Sequence, residues 1–246
     1  MPLSIKNIIN EKVKDKSVFI RTDLNIPMSN GKVTDFMRME RLVPTIKYLK
    51  SSGAKVIICS HFGRPEGKIN KDYSLKPLVN ILSKALDSEV KFSESCIGPK
   101  ALKAKGSLIS GEILLLENVR FHKGEATNDI QFAEELAQKC DIFVNDAFSC
   151  SHREHASLHA ITNFLPSYSG ILLNEEITAL QSVLISPSKP VAALVGGAKI
   201  STKINIIEYL MTKMDYLIIG GGMANTFLVA KGFTVGKSLF EKEAVE

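Results

Sequence analysis

The sequence predicts an α/β protein built on parallel strands. Three observations predict it. Short β-branched apolar runs recur along the 246 residues, segments of helical period lie between them, and turn residues punctuate the alternation. Strand, helix, strand in repetition calls for right-handed crossovers, with helices covering a sheet that is buried on both faces.

In chain order, the first run is Val18-Phe19-Ile20. The next helix carries Leu42, Ile46 and Leu49 on one face. Arg38 opens it, and Pro44 is expected near its start, where a missing N–H costs little. Gly53 stops this helix ahead of Val56-Ile57-Ile58. Leu75, Leu78, Val79, Leu82 and Leu86 mark a second helix, and Ile113 to Leu116 the strand after it. Phe132, Ala133, Leu136 and Ala137 form another helical face before Ile142-Phe143-Val144. Together these segments predict a Rossmann-like parallel sheet in a three-layer αβα first domain, assigned to 1–173.

A linker helix is expected over 174–187, from Glu175, Glu176, Ile177, Leu180 and Leu184, ending in Ser186-Pro187-Ser188-Lys189-Pro190. Beyond it, 188–246 reads as a second α/β unit, with strands at Val191 to Val195 and Leu217-Ile218-Ile219. Ile204, Ile207, Leu210 and Met211 mark a helix between them, and Gly232 ends a later one. Two strands are too few for a doubly wound sheet of ordinary size, so this unit is expected to be incomplete. Its apolar strands would leave an unpaired edge, so mobility, proteolysis or pairing with another chain is expected there.

Composition narrows the function classes. With 45% hydrophobic and 23% charged residues the chain is globular rather than disordered or fibrous. A net charge of +5 is too small for a general polyanion binder. Tryptophan is absent and no basic-aromatic interleaving occurs, so no nucleic-acid partner is expected. No apolar run approaches the ~18 residues of a membrane helix, and the N-terminus lacks a secretory core. Cys59, Cys96, Cys140 and Cys150 are scattered without a CxxC pair, which suits reduced thiols in a cytoplasmic protein. Cys150, His152, His155 and His159 have the residue types of a zinc site but not its HExxH spacing, and no metal ligand is assigned.

Arginine is scarce, so its positions are informative. Lysine supplies all but six of the 31 basic residues, and the arginines are Arg21, Arg38, Arg41, Arg64, Arg120 and Arg153. All but Arg41 lie in or beside the segments that leave strands, or at the start of the following helix. In a parallel sheet those segments share one edge, where ligands bind. Several guanidiniums there would make an anion site, because each offers planar, bidentate donors. Asp23 and Asn25 could orient a substrate hydroxyl within that field or close an Asx-turn. His61 could donate to a phosphate or serve a structural role.

A second anion site is expected in Gly196-Gly197-Ala198-Lys199-Ile200-Ser201-Thr202-Lys203, read as opening a helix with Lys199 and Lys203 on one face. It is not a Walker A motif, and the near match from Gly232 to Ser238 is one residue short. Gly220-Gly221-Gly222 reads either as a nucleotide wall or as a tight turn.

Seven stretches together resemble the phosphoglycerate kinase family. They are Arg-Thr-Asp-Leu-Asn-Ile-Pro-Met (21–28), Ser-His-Phe-Gly-Arg-Pro (60–65), Leu-Leu-Leu-Glu-Asn-Val-Arg-Phe-His-Lys-Gly-Glu (114–125), Asn-Asp-Ala-Phe (145–148), His-Arg-Glu-His-Ala-Ser (152–157), Gly-Gly-Ala-Lys-Ile-Ser-Thr-Lys (196–203) and Gly-Gly-Gly-Met-Ala (220–224). The resemblance implies two α/β domains facing a cleft, cytoplasmic and monomeric. The first would hold 3-phosphoglycerate, the second ATP or ADP with magnesium. The reaction implied is reversible phosphoryl transfer between 1,3-bisphosphoglycerate and ADP. Asp23 and Asn25 would meet the substrate hydroxyl; His61, Arg64, Arg120 and Arg153 would hold its phosphate. Arg38 would face the carboxyl end and, with Lys199, serve the transfer itself. Gly197, Lys203, Gly220 and Gly221 would border the nucleotide. The family usually has Gly at Ser149, Asp at Thr202 and Gly at Ala160. Its members also continue well past position 246, so a polypeptide of this length is expected to bind substrate without turnover, with the magnesium ligand lying in the further part.

Overall fold

The computed structural model describes residues 5–29, 32–185 and 187–245. The chain divides into two compact units, Met1–Ile177 and Thr178–Glu246.

In the first unit the apolar runs become β1 (Ser17–Arg21), β4 (Lys55–Cys59), β6 (Ile113–Leu116) and β7 (Ile142–Asn145). Two small strands, β2 (Met28–Ser29) and β3 (Lys32–Val33), pair antiparallel. Two edge strands that the apolar runs do not reveal, β5 (Val90–Ser93) and β8 (Ser167–Ser169), complete a six-stranded sheet. Its order is β5-β6-β4-β1-β7-β8, and every pair is parallel. Ser-Tyr-Ser is too polar and too short to read as a strand. Its placement comes from pairing with Phe143 to Asn145.

Alternate strand residues feed two cores, as the pleat requires. Val18, Ile20, Val56, Ile58, Ile113, Leu115 and Val144 share one with Leu42, Ile46 and Leu49 of α1 (Met37–Ser51) and Leu82 and Leu86 of α2 (Val79–Leu86). Phe19, Ile57, Leu114, Leu116 and Phe143 face the other way. There they meet Ala133 and Leu136 of α5 (Ile130–Ala137), which follows the short α4 (Lys123–Ala126), and Ala104 of α3 (Gly98–Gly106) packs against the same cluster. The result is the three-layer parallel arrangement expected. Full burial of each such side chain stabilises the fold by about 1.5–3 kcal/mol.

Two local expectations are corrected. Pro44 lies in the middle of α1, not near its start, because the helix begins at Met37, and one interior hydrogen bond is forgone. The linker helix, α6, spans Ile171–Leu184 rather than 174–187. Its early start is fixed from afar: Thr45 Oγ1 accepts from the Ile171 N–H at 3.1 Å and Asp146 Oδ1 from the Leu173 N–H at 3.0 Å. These caps come from α1 and the exit of β7, so no local motif announces them. Of the boundary sequence, Ser186 lies outside the described residues.

The second unit contains β9 (Ala192–Gly196), α7 (Ile204–Met211), β10 (Tyr216–Gly220) and α8 (Gly221–Ala230), with β9 and β10 parallel. Its core is small: Ile200, Ile207 and Met223. Of the helical face expected from Ile204, Ile207, Leu210 and Met211, only Ile207 is buried. Leu194 in β9 remains 74% exposed.

Candidate functional site

The carboxyl ends of β1, β4, β6 and β7 deliver four loops to one place. They are locked to one another by buried polar groups. Asn118, fully buried after β6, accepts from the Phe62 N–H and donates to the Phe62 and Tyr73 carbonyls at 2.7 and 2.9 Å. Ser60 Oγ accepts from the Leu24 N–H and donates to the Thr22 carbonyl. Gly63 adopts φ +59°, and a Cβ there would sit 2.3 Å from the Tyr73 ring, so only glycine allows this turn.

On this frame Asp23 closes the Asx-turn onto the Asn25 N–H at 2.9 Å. Its other oxygen accepts from Arg38 Nη1 at 3.0 Å and from Ser149 Oγ at 2.6 Å. Asn25 Oδ1 accepts from the Gly63 N–H, and the Gly63 carbonyl accepts from Arg120 Nη1 at 2.8 Å. Asp23, Arg38 and Ser149 border a cavity of about 290 Å³. Arg64, Arg120 and Arg153 border a second, of about 400 Å³, with His122, Lys123 and His155. His61 borders neither cavity: it is buried within 4.8 Å of Asp23 and Cys150, and the charges of Arg120 and Arg153 reach its ring.

The electrostatics are those of a cationic cup. Burial and then the charges of Arg21, Arg120 and Arg153 push His61 down to about 2, so the ring stays neutral. Burial, then Arg153 and Arg21, also lower Arg120. The arginine ion pairs among the described residues involve Arg21, Arg38 and Arg41, leaving Arg64, Arg120 and Arg153 without a carboxylate partner. Arg153 Nε is buried and meets no acceptor. A guanidinium left in this state is poised to receive an anion.

Arg21 departs from expectation. The expectation of five arginines at the anion site falls to four, because Arg21 is fully buried and spent on internal bonds to Ser157, the Thr22 carbonyl and His61. Its internal role goes with Glu125 and Ser157, which residue spacing does not pick out. The one available signal is a charged residue closing an otherwise apolar strand, Val18-Phe19-Ile20-Arg21.

Of the four residues of zinc-binding type, His155 faces Glu125 at 3.5 Å and His159 faces Asn128 at 3.0 Å. The cluster of ligating types among the described residues is Asp23, His61 and Cys150. Arg21 at 3.2 Å from His61 and Arg38 at 3.0 Å from Asp23 make those surroundings unfavourable to a cation.

In the second unit Gly196 ends β9, and the next residues form turns before α7 begins at Ile204. Lys199 and Lys203 therefore precede the helix and do not share a helical face, a correction to the sequence expectation. The cause is competition for the backbone: Glu241 accepts from the Ser201 N–H at 3.0 Å, and Lys203 N–H bonds to the Ile200 carbonyl at 2.8 Å. Lys203 runs past Gly197, where a Cβ would lie 3.6 Å from its Cε. Gly221, at φ +65°, opens α8, and a Cβ there would come 3.1 Å from the Gly197 carbonyl. Gly221 and Gly222, whose Cβ atoms would crowd the backbone of Gly197 and Ala198, let the two loops meet backbone to backbone, sealed by the Met223 N–H to Gly197 carbonyl bond at 2.9 Å; a Cβ on Gly220 would meet only the Leu194 side chain at 4.0 Å. Lys199 is exposed. Thr202 Oγ1 donates to the Lys199 carbonyl, and Ala160 is buried with its N–H on Asn128.

The family model described as Phosphoglycerate kinase matches residues 7–246. The chain is 52% identical over 241 residues to a phosphoglycerate kinase of Brucella melitensis, covering 98% of this chain and 61% of the relative. It is 54% identical over 231 residues to that of Bradyrhizobium diazoefficiens, covering 94% and 58%. Among solved structures, phosphoglycerate kinase from Coxiella burnetii aligns with TM-score 0.87 at 44% identity, over 98% of this chain and 61% of that one. The enzyme from Pyrococcus horikoshii aligns with TM-score 0.84 at 35% identity, over 94% and 59%. The chain spans about three fifths of the length of the relatives it matches. The seven motifs, the parallel sheet with its arginine cup and these likenesses agree: the chain belongs to the phosphoglycerate kinase family.

Proposed function

We propose that this chain serves reversible phosphoryl transfer between 1,3-bisphosphoglycerate and ADP, giving 3-phosphoglycerate and ATP. Its first unit, over about 1–173, takes the phosphoglycerate. Arg64, Arg120 and Arg153 hold the phosphate with His61, Asp23 and Asn25 orient the hydroxyl, and Arg38 faces the carboxyl group. In the second unit, over 188–246, Lys199 and Lys203 take nucleotide phosphates beside Gly197, Gly220 and Gly221. The observation that supports this most is Arg153, whose Nε is buried without a partner and which borders a cavity together with two further guanidiniums that lack ion-pair partners.

The chemistry follows from charge. A transferring phosphoryl group spreads negative charge over its oxygens, so positioning and positive charge do most of the work. A carboxylate nucleophile is already ionised at neutral pH and needs no general base. Arg38 in the first unit and Lys199 in the second each carry the positive charge that such a group calls for. The Lys199–Lys203 segment offers ammonium and amide donors, which suit phosphate oxygens and not a metal ion. That segment therefore supplies no magnesium ligand.

A concave arginine cup favours a small anion over a nucleic acid. Four free cysteines support a reducing, cytoplasmic setting, and no described helix is long and apolar enough to cross a membrane. Because these residues correspond to about three fifths of the relatives, a polypeptide of 1–246 is expected to bind 3-phosphoglycerate without appreciable turnover. Calorimetry and a coupled ATP assay test both halves. Absence of affinity in the folded chain would sink the substrate assignment, and near-normal turnover would sink the expectation of inactivity.

A further inference from the structure

We propose that Glu125, Ser157 and Arg21 form a buried positioning relay that holds the His61 ring with Nδ1 as acceptor and its proton on Nε2. The relay lies outside the set of groups assigned to substrate, and it can be followed atom by atom. Glu125 is fully buried and accepts from the Ser157 N–H at 2.9 Å and from Ser157 Oγ at 2.7 Å. With its proton committed to the carboxylate, Ser157 Oγ presents a lone pair, and Arg21 Nε donates to it at 2.9 Å. Arg21 Nη1 donates to the Thr22 carbonyl, and Nη2 lies 3.2 Å from His61 Nδ1 and 3.9 Å from Glu125 Oε1.

Every direction in this chain is forced. A guanidinium carries donors only, so the Arg21–His61 contact is a hydrogen bond only if Nδ1 accepts. An imidazole whose Nδ1 accepts has its proton on Nε2. A protonated ring would set two N–H groups against each other beside a second positive charge, which agrees with the strong downward displacement of His61. Glu125 supplies the counter-charge that makes a buried Arg21 tolerable. Burial pushes its carboxyl up, but His155, the Arg21 charge and the Ser157 bonds outweigh this and keep it below its ordinary value. The consequence is a neutral histidine with one fixed N–H donor, in a cup whose other donors are guanidiniums.

The use of that donor on phosphate rests on the function proposed above; the tautomer does not. The test is long-range ¹H–¹⁵N correlation spectroscopy of the ¹⁵N-labelled 246-residue chain, with His61 assigned by comparison with His61→Gln. Expected is a single Nε2–H state with no titration from about pH 5 to 8. In Ser157→Ala and Glu125→Gln the ring is expected to populate both tautomers, and affinity for inorganic phosphate and 3-phosphoglycerate to fall about 10-fold. A proton on Nδ1, titration near pH 6.5 in the parent, or folded variants with an unchanged spectrum would overturn the proposal. The parent spectrum decides the matter even where a variant does not fold. A correct tautomer with no phosphate or 3-phosphoglycerate binding would instead remove the substrate assignment and leave the relay standing.

Discussion

The two units hold their cationic groups in opposite ways. In the first, the guanidiniums of the cup rest on buried polar supports: Asn118 clamps two loops, Arg120 is tied to Gly63, and the fully buried Arg21 ties β1 to Ser157 and His61. In the second, Lys199 is exposed on a turn closed mainly through Glu241 and local backbone bonds. Strand burial shows the same contrast. β4 is buried from Val56 to Cys59, whereas β9 alternates between exposed and half-buried. The difference teaches that a site can be pre-organised only where a two-sided core already holds the strands that feed it. The first unit has one, and the second, over these residues, has a cluster of three buried side chains.

The largest effect that would sharpen this contrast is on stability. Phe19→Ala, in the doubly covered β1, is expected to cost about 3–5 kcal/mol in urea unfolding of the first unit. Leu194→Ala, at 74% exposure in β9, is expected to cost less than about 1 kcal/mol. Equal losses would show that β9 is held as firmly as β1. The next effect is on binding. Arg153→Ala should weaken 3-phosphoglycerate binding by about 1.5–3 kcal/mol, roughly 10- to 150-fold, because a desolvated charged donor is lost. Lys199→Met should leave that affinity within about 2-fold by calorimetry.

The smallest effect concerns pH. Burial, only partly offset by hydrogen bonds from Thr45 and the α6 backbone, raises Asp146 to about 6, and its Oδ2 has no partner. A raised native value means that folding favours the protonated acid. Its stabilising share is full below the unfolded value near 4 and is lost as pH rises through 6. Asp146→Asn should therefore match the parent near pH 4 and exceed it by about 1–2 kcal/mol at pH 7, with the gap opening between. The carboxyls shifted in the second unit, Asp215 and Glu241, are held down by hydrogen bonds rather than raised by burial and give no comparable handle. A gap that does not depend on pH would show that Asp146 acts through the α6 cap alone.

Much of the site was legible because its chemistry is local. A scarce residue type placed after apolar runs pointed to Arg64, Arg120 and Arg153, and the topology brought those strand ends together. Arg21 was legible as an arginine but not as a buried one, since its burial depends on Glu125 and Ser157, more than a hundred positions away. The Lys199–Lys203 helix failed for a related reason. The bond from Ser201 to Glu241, forty positions on, competes with the helix start that the local pattern favours.

By itself the sequence determined the strands buried on both faces, the helices between them and the ends at which anion-binding groups would gather. Hydrophobic period and residue type are properties of a short window. Tertiary structure alone decided which polar groups became supports and which remained donors. It also decided where α6 begins and which nitrogen of His61 carries its proton. Those outcomes depend on partners brought together by the sheet, and a buried charge or lone pair takes its meaning from what lies across from it.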